Sequence, residues 1–232
     1  MKEDKVITQH LRDIERRIAA AAKAAGRDPA SIRLIAVSKG VEEEKVRSAI
    51  KAGQNVFGEN RVQETKLKYV KLRPLHAPLE LHLIGPLQTN KAEEAVRLFE
   101  TIQTVDRPRL AEALSAAIRK IGRTPKLYAE VNIGQEAQKA GVVPNELEMF
   151  LKFCRDSCSL KIEGLMCIPP QGDDPEPYFK NMKILADRHK LPNLSMGMSA
   201  DFETAIKCGA TEVRVGTSLF GVRAGHVGEQ DE

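Results

Sequence analysis

The strongest constraint on the fold is a regular alternation of short apolar, β-rich segments with amphipathic helical patterns along all 232 residues. Repeated strand–helix units of this kind build a parallel sheet covered by helices. The segments with the strand pattern lie at 32–37, 55–57, 81–84, 101–103, 127–131, 162–166, 193–195 and 212–215. Eight strands with intervening helices favour a closed (β/α)8 TIM barrel over an open doubly wound sheet.

A helix of about 20 residues is predicted before the first strand, with Leu11, Ile14 and Ile18 on one apolar face. The later helical patterns lie at approximately 42–52, 60–72, 88–97, 107–121, 144–156, 175–190 and 200–208, with a short helix from Thr217. The proline-dense stretch 168–177 fits a single loop, so no linker divides the chain. We expect one α/β domain over residues 1–232, a single (β/α)8 barrel with an additional N-terminal helix.

Composition argues against several classes of protein. The net charge of +4 comes from 36 basic residues interleaved with 32 acidic ones, and aromatic residues make up only 4%. This pattern is typical of solvated helix faces, so we expect no nucleic-acid partner. No apolar stretch approaches the roughly 20 residues of a membrane span, and no secretory signal is visible, so we expect a cytoplasmic protein with no membrane contact.

The four cysteines are too few for a disulfide scaffold. Cys154 and Cys158 lie one helical turn apart, where neither disulfide nor zinc spacing is convincing, so we expect reduced, packed thiols and no metal site. No long apolar surface stripe is evident in the sequence, and we therefore expect a monomer.

The chemistry of such a barrel lies where strands end and the following loops begin. Three of these positions carry unusual residues: Ser38-Lys39, Asn132 and the segment 214–218. Lys39 puts an amine at the mouth of an apolar barrel, where desolvation favours the neutral form that makes a Schiff base. The alternative is a lysine whose amine simply reaches solvent at the end of a strand.

Arg214 lies inside the last predicted strand, on the opposite face from Val213 and Val215. If it points inward, its permanent charge needs an acceptor, and an ion pair with Glu212 on the same face is one alternative. Gly216 and Thr217 follow directly, and a glycine before hydroxyl residues exposes backbone N–H groups to an anion such as phosphate.

The loops after strands seven and eight form the usual phosphate site of these barrels. Ser199 supplies the strand-seven side, although a helix N-cap is an equally good local explanation for it. Residues 197–201 lack the final glycine of a G-x-S-x-G nucleophile elbow, which excludes a serine hydrolase of that type. An amine, a phosphate site and an arginine between them suit pyridoxal 5′-phosphate (PLP).

Several long motifs in the same order closely resemble the pyridoxal phosphate homeostasis protein family, whose barrel is similar to the N-terminal domain of alanine racemase. The motifs are at 34–39, 57–60, 62–64, 82–91, 164–166, 197–201 and 213–221. The resemblance implies that Lys39 binds PLP as a Schiff base, that Ser199, Gly216 and Thr217 hold the phosphate, and that Arg214 faces the pyridine nitrogen. It also implies that Asn60 and Met198 line the ring pocket. This chain has Gly40-Val41-Glu42 where the family often has Thr-Lys-Pro.

An arginine against the pyridine nitrogen keeps the ring neutral, and a neutral ring stabilises a carbanion poorly. Alanine racemase takes one of its two bases from a separate domain, and we expect none here because the sequence ends about ten residues after Gly221. His82 and Tyr128 are the nearest alternative bases, but each is expected to pack or hydrogen-bond inside the barrel. With no catalytic residue identified, we predict a carrier or buffer in intracellular PLP (vitamin B6) homeostasis, with apo PLP-dependent enzymes as partners. The alternatives are a PLP-dependent amino-acid racemase or other weak PLP enzyme, and a cofactor-free Schiff-base aldolase, although no carboxylate for an aldolase is identified.

Overall fold

A computed structural model describes residues 2–72 and 78–221, so Met1, 73–77 and 222–232 lie outside the described residues. Eight parallel strands close into a barrel in sequence order, and the last strand pairs with the first. The strands are β1 Arg33–Val37, β2 Val56–Glu59, β3 Glu80–Leu83, β4 Thr101–Val105, β5 Lys126–Glu130, β6 Ile162–Met166, β7 Asn193–Ser195 and β8 Glu212–Val215. The predicted closed barrel is confirmed. The expectation of one domain over 1–232 includes residues that are not described and stays a prediction.

Helices precede β1, occupy the connections between strands and follow β8, as the periodicity predicts. They are α1 Lys2–Ala24, α2 Glu43–Lys51, α3 Val62–Leu72, α4 Ala92–Leu98, α5 Pro108–Ile121, α6 Leu147–Asp156, α7 Glu176–Arg188, α8 Phe202–Lys207 and α9 Thr217–Phe220. Within the described ranges, no helix has both the length and the apolar character needed to cross a membrane.

The N-terminal helix α1 packs across the helices that flank β8 and β1. Leu11, Ile14 and Ile18 are buried, as predicted, because their spacing places them on one side of the helix. α1 contacts α2, α8 and α9, and the Arg17 guanidinium lies 4.5 Å from the centroid of the Phe202 ring. The additional helix therefore stabilises the side of the barrel on which the first and last strands meet.

Alternation along the strands separates an outer apolar layer from a more polar interior. Val213 and Val215 pack in the main core between sheet and helices, whereas Arg214 pairs in register with Ile35 and belongs to the opposite face. Ile35 is fully buried, and a Cβ on Gly58 would lie 2.9 Å from its Cγ2. Ile35 and Arg214 therefore face the barrel interior.

A network of hydrogen-bonded polar side chains occupies part of the barrel interior. Tyr128 donates to Glu212 at 2.9 Å, and Gln103 Nε2 lies 2.8 Å from Glu212 Oε2 and 2.9 Å from His82 Nδ1. His82 Nε2 in turn lies 3.0 Å from Glu80, and its hydrogen bond is the main reason that the pKa of Glu80 falls to about 2. His82 and Tyr128 thus hydrogen-bond inside the barrel, as predicted for both side chains.

The connection after β5 differs from expectation. Residues 131–146 form an extended loop after β5, and α6 begins at Leu147, later than the predicted 144. Asn132 organises this loop, because its side chain donates to Glu136 O at 2.7 Å and accepts from Glu136 N at 3.1 Å. The unusual Asn132 is therefore explained by loop structure.

Candidate functional site

The predicted site residues lie in or directly after four strands that are consecutive neighbours around the barrel, β7, β8, β1 and β2. Ala36 pairs with Val215, so Lys39 and Gly216 follow adjacent strands at the same end. Val37 pairs with Gly58, which puts Asn60 in the next loop beside Lys39. The carboxyl ends of parallel strands are the functional face of this fold. Closure of the barrel thus brings residues far apart in sequence to one side of its mouth.

Lys39 lies in the turn directly after β1 and is half-buried. It has the same parity as Ile35 and Val37, which places it on the interior-facing side of the strand's continuation. Gly40 follows with φ +62°, so the chain turns sharply after the lysine. Within residues 2–72 and 78–221, no hydrogen bond or ion pair involves the Lys39 amine.

Arg214 is held in a fixed orientation inside the barrel. Its side chain donates to Ser195 Oγ and to the carbonyl of Cys167, both at 2.8 Å. The residue is only 4% exposed, and burial lowers the pKa of its guanidinium from the ordinary value. The alternative ion pair with Glu212 is wrong, because Glu212 accepts from Tyr128 and Gln103 instead. Two of five guanidinium N–H groups are used in these contacts, so donors remain for a ligand.

The loops after β7 and β8 meet at Ser199 and Ser218. The backbone N–H of Ser218 points to Ser199 Oγ at 3.5 Å, across the gap between the two loops. Asp201, not Ser199, occupies the N-cap position of α8, so the N-cap alternative for Ser199 is wrong. Gly216 is half-buried and Thr217 is exposed, so a ligand can reach this corner.

Glycines shape the approaches to the site. Gly197 has φ +91°, and a Cβ there would lie 2.5 Å from Ala205 Cβ, so the loop lies directly against α8. The neighbouring Met198 is 38% exposed, and its N–H donates to Asp201 Oδ1 at 2.6 Å. On the other side, a Cβ on Gly85 would lie 2.6 Å from the Cα of half-buried Asn60. The close approaches of Gly197 and Gly85, with the bond from Met198 N–H to Asp201, thus set the backbone positions of both predicted ring-pocket residues.

Glu130, which was not predicted as a site residue, lies at the end of β5 on the same face as Tyr128. Burial raises its pKa to about 7, with a further increase from Asp106, and Arg214 and Arg107 oppose the shift. Burial likewise raises the pKa of Asp106, whose Oδ1 accepts from Arg107 at 2.5 Å. The sequence signal that could have identified Glu130 is its position two residues after Tyr128, which places both side chains on the same face of the strand. Glu130 therefore takes up a proton near neutral pH on this side of the mouth.

The titration of Glu130 predicts an unusual pH dependence of stability. Its folded pKa of about 7 lies above the ordinary 4.5. The folded state therefore takes up this proton first, and the Glu130 contribution to stability improves as pH falls from about 8 to about 5. We expect Glu130→Gln to raise the free energy of unfolding by about 1–3 kcal/mol at pH 8 and to leave it nearly unchanged at pH 5. Urea unfolding followed by circular dichroism measures this, with exposed Glu112→Gln as the control. An equal effect at both pH values would contradict the assignment.

The barrel and the residues at its mouth define a protein of the alanine racemase N-terminal domain class, and that family matches residues 9–224. The alanine racemase of Bartonella henselae has the same fold, with a TM-score of 0.71 at 15% identity, covering 95% of this chain and 59% of that one.

Closer relatives identify the family. The pyridoxal phosphate homeostasis protein of Aquifex aeolicus is 40% identical over 224 residues, which cover 93% of this chain and 97% of that protein. The structure of PipY from Synechococcus elongatus with PLP bound matches with a TM-score of 0.79 and 37% identity, covering 93% of this chain and all of that one (100%). The chain belongs to the pyridoxal phosphate homeostasis protein family, as the motifs predict.

Proposed function

We propose that this protein binds PLP through Lys39 as a Schiff base and serves as a carrier or buffer in intracellular PLP homeostasis. The observation that carries the proposal is the position of Lys39 at the barrel mouth, directly after the strand that pairs with β8, with no partner for its amine among residues 2–72 and 78–221. The names of the relatives and the PLP bound in PipY support it. Condensation would join the lysine nitrogen to the PLP aldehyde carbon and release water, and hydrolysis would return free PLP.

The donor set around the mouth fits PLP. The backbone N–H groups that follow β8 suit the phosphate, and so does the Ser199 hydroxyl. The two loops are close together, because the Ser218 nitrogen lies 3.5 Å from Ser199 Oγ. Asn60 and Met198 would line the ring pocket. Arg214, held by Ser195 and Cys167, would offer one of its remaining N–H groups to the ring nitrogen. Because arginine keeps its proton, this contact leaves the ring nitrogen as an acceptor and favours storage over carbanion chemistry.

A transfer experiment tests the carrier role. Holoprotein is mixed with the apo form of a PLP-dependent enzyme, and recovery of that enzyme's activity is followed. We expect recovery with wild type, at a rate different from that with the same concentration of free PLP. Lys39→Arg, incubated with PLP and then desalted, is the control and is expected to deliver none. Identical recovery curves for holoprotein and free PLP would contradict the carrier role.

Proton exchange separates this proposal from a PLP enzyme. Holoprotein is incubated with amino acids in deuterated water, and α-deuterium incorporation is measured by mass spectrometry. We expect incorporation no faster than with free PLP, since the Arg214 contact leaves the ring a weak electron sink. Exchange at an enzymatic rate would favour the racemase alternative and would contradict the proposal that the protein is a carrier without enzymatic activity.

A further inference from the structure

A buried ionic cluster lies behind the peptide units that flank Lys39. We define the Lys68 cluster as Glu59 at the end of β2 together with Glu64, Lys68 and Tyr69 of α3. Lys68 Nζ lies 2.8 Å from Glu59 Oε1 and 3.4 Å from Glu64 Oε1. The Lys68 side chain is only 9% exposed and that of Glu59 is 0% exposed. The cluster is therefore isolated from solvent on its Glu59 side and open on its Glu64 side.

The Lys68 cluster bonds the residues on both sides of Lys39. On one side, the Ser38 carbonyl accepts from Lys68 Nζ at 2.6 Å, while the Ser38 hydroxyl donates to Glu59 Oε1 at 2.8 Å and lies 2.9 Å from Tyr69 OH. On the other side, the Gly40 N–H donates to Glu64 Oε1 at 2.8 Å. The backbone that carries Lys39 is thus tied to α3 before and after the lysine.

Attaching α3 to the barrel through this cluster costs free energy, because its charged groups lose solvation when they are buried. Burial raises the pKa of Glu59, and the Lys68 charge opposes the increase. The second oxygen of Glu59, Oε2, is buried and has no hydrogen-bond partner among the described residues. Apolar side chains of similar volume attach helices at lower desolvation cost. What they lack is the directional bonding that orients a particular peptide unit.

We infer that Glu59, Glu64 and Lys68 are positioning residues for Lys39. They hold the Ser38 and Gly40 peptide units so that the intervening lysine extends from a fixed backbone into the barrel mouth. This inference rests on the proposed function, because capture of PLP is the purpose that the positioning serves. Preorganisation of this kind improves binding by reducing the ordering that the ligand would otherwise impose.

Glu64 offers the sharpest test, because its side chain is 36% exposed and can be replaced without opening the core. Glu64→Leu removes the acceptor of the Gly40 N–H, whereas Glu64→Gln keeps an oxygen in its place. We expect Glu64→Leu to weaken PLP binding about tenfold and Glu64→Gln to stay within about threefold of wild type. The readout is a PLP titration followed by visible absorbance.

A second readout needs no PLP. In the apoprotein, hydrogen exchange at the Gly40 amide is expected to be faster in Glu64→Leu than in wild type or Glu64→Gln. Glu93→Leu is the matched control, since Glu93 is 47% exposed and pairs with Lys120, far from Lys39 in sequence. Tyr69→Phe is an additional test that leaves Glu64 intact; loss of one bond to Ser38 is expected to weaken binding about threefold.

The outcomes separate this inference from the proposed function. Wild-type PLP affinity in both Glu64→Leu and Tyr69→Phe would overturn the positioning role while leaving the carrier proposal intact. Unchanged Gly40 exchange in Glu64→Leu would also overturn it. If wild type itself bound no PLP at Lys39, the carrier proposal would fail first, whatever the exchange data showed.

Discussion

Replacing Lys68 with methionine is expected to lower the free energy of unfolding by about 3–5 kcal/mol at neutral pH. The reason is that Glu59 is fully buried and Lys68 Nζ is 2.8 Å from its Oε1. Without Lys68 the carboxylate has no compensating charge at that distance, and the Ser38 carbonyl loses its donor at 2.6 Å. Urea unfolding at pH 8, followed by circular dichroism, measures the change.

The sign of the pH dependence is a further check on this prediction. In Lys68→Met the ionised form of Glu59 is penalised, so its folded pKa lies still further above its unfolded value. Protonation removes the penalty, and the loss of stability is therefore expected to shrink as pH falls toward about 4.

Two variants control the Lys68 prediction. Lys66→Met changes an exposed lysine of the same helix and is expected to alter stability by less than about 0.5 kcal/mol. The double variant Glu59→Gln with Lys68→Met contains no buried unpaired charge and is expected to recover part of the loss. If Lys68→Met lost no more stability than Lys66→Met, the cluster would not be the ionic unit described above.

Replacing Lys39 with alanine is expected to lower the affinity for PLP by at least about two orders of magnitude, because only noncovalent contacts remain. Lys39→Arg keeps the charge, cannot form the Schiff base, and is expected to lose the visible absorbance equally. Lys126→Ala is the control, since Lys126 begins β5 at the opposite end of the barrel. Absorbance titration with PLP followed by dialysis provides the measurement. Retention of PLP by both Lys39 variants would contradict covalent binding there.

Most of the fold could be predicted from sequence because its signals are local. Each strand has an apolar run and each helix has a periodic face, so β1 and α1 were predicted within a few residues of their observed ends. The predicted elements leave residues 132–143 as a connection, but the conformation of the observed loop at 131–146 could not be predicted, because it depends on side-chain bonds such as those of Asn132 to Glu136. Barrel closure followed from the number of strands, a property of the whole chain.

The residues of the candidate site could be predicted from the sequence better than the contacts that those residues make. Lys39 and Arg214 stand out at strand ends, and alternation predicted that Arg214 lies on the face opposite Val213 and Val215. Which of the two faces lines the barrel became clear only from the structure. The Arg214 partners Ser195 and Cys167 could not be predicted, because they come from neighbouring strands that meet Arg214 only after closure. The sequence contains one weak signal for the Lys68 cluster, the i,i+4 spacing of Glu64 and Lys68, which is typical of an ion pair on a helix.

The central claim is that Lys39 binds PLP covalently, and one measurement tests it most directly. Purified protein loaded with PLP is examined by visible spectroscopy before and after borohydride reduction, and the reduced protein is then digested and mapped by mass spectrometry. The account predicts that reduction abolishes the visible absorbance and leaves one pyridoxyl adduct, on the peptide that contains Lys39. No adduct, or an adduct on another lysine while Lys39 stays unmodified, would contradict it.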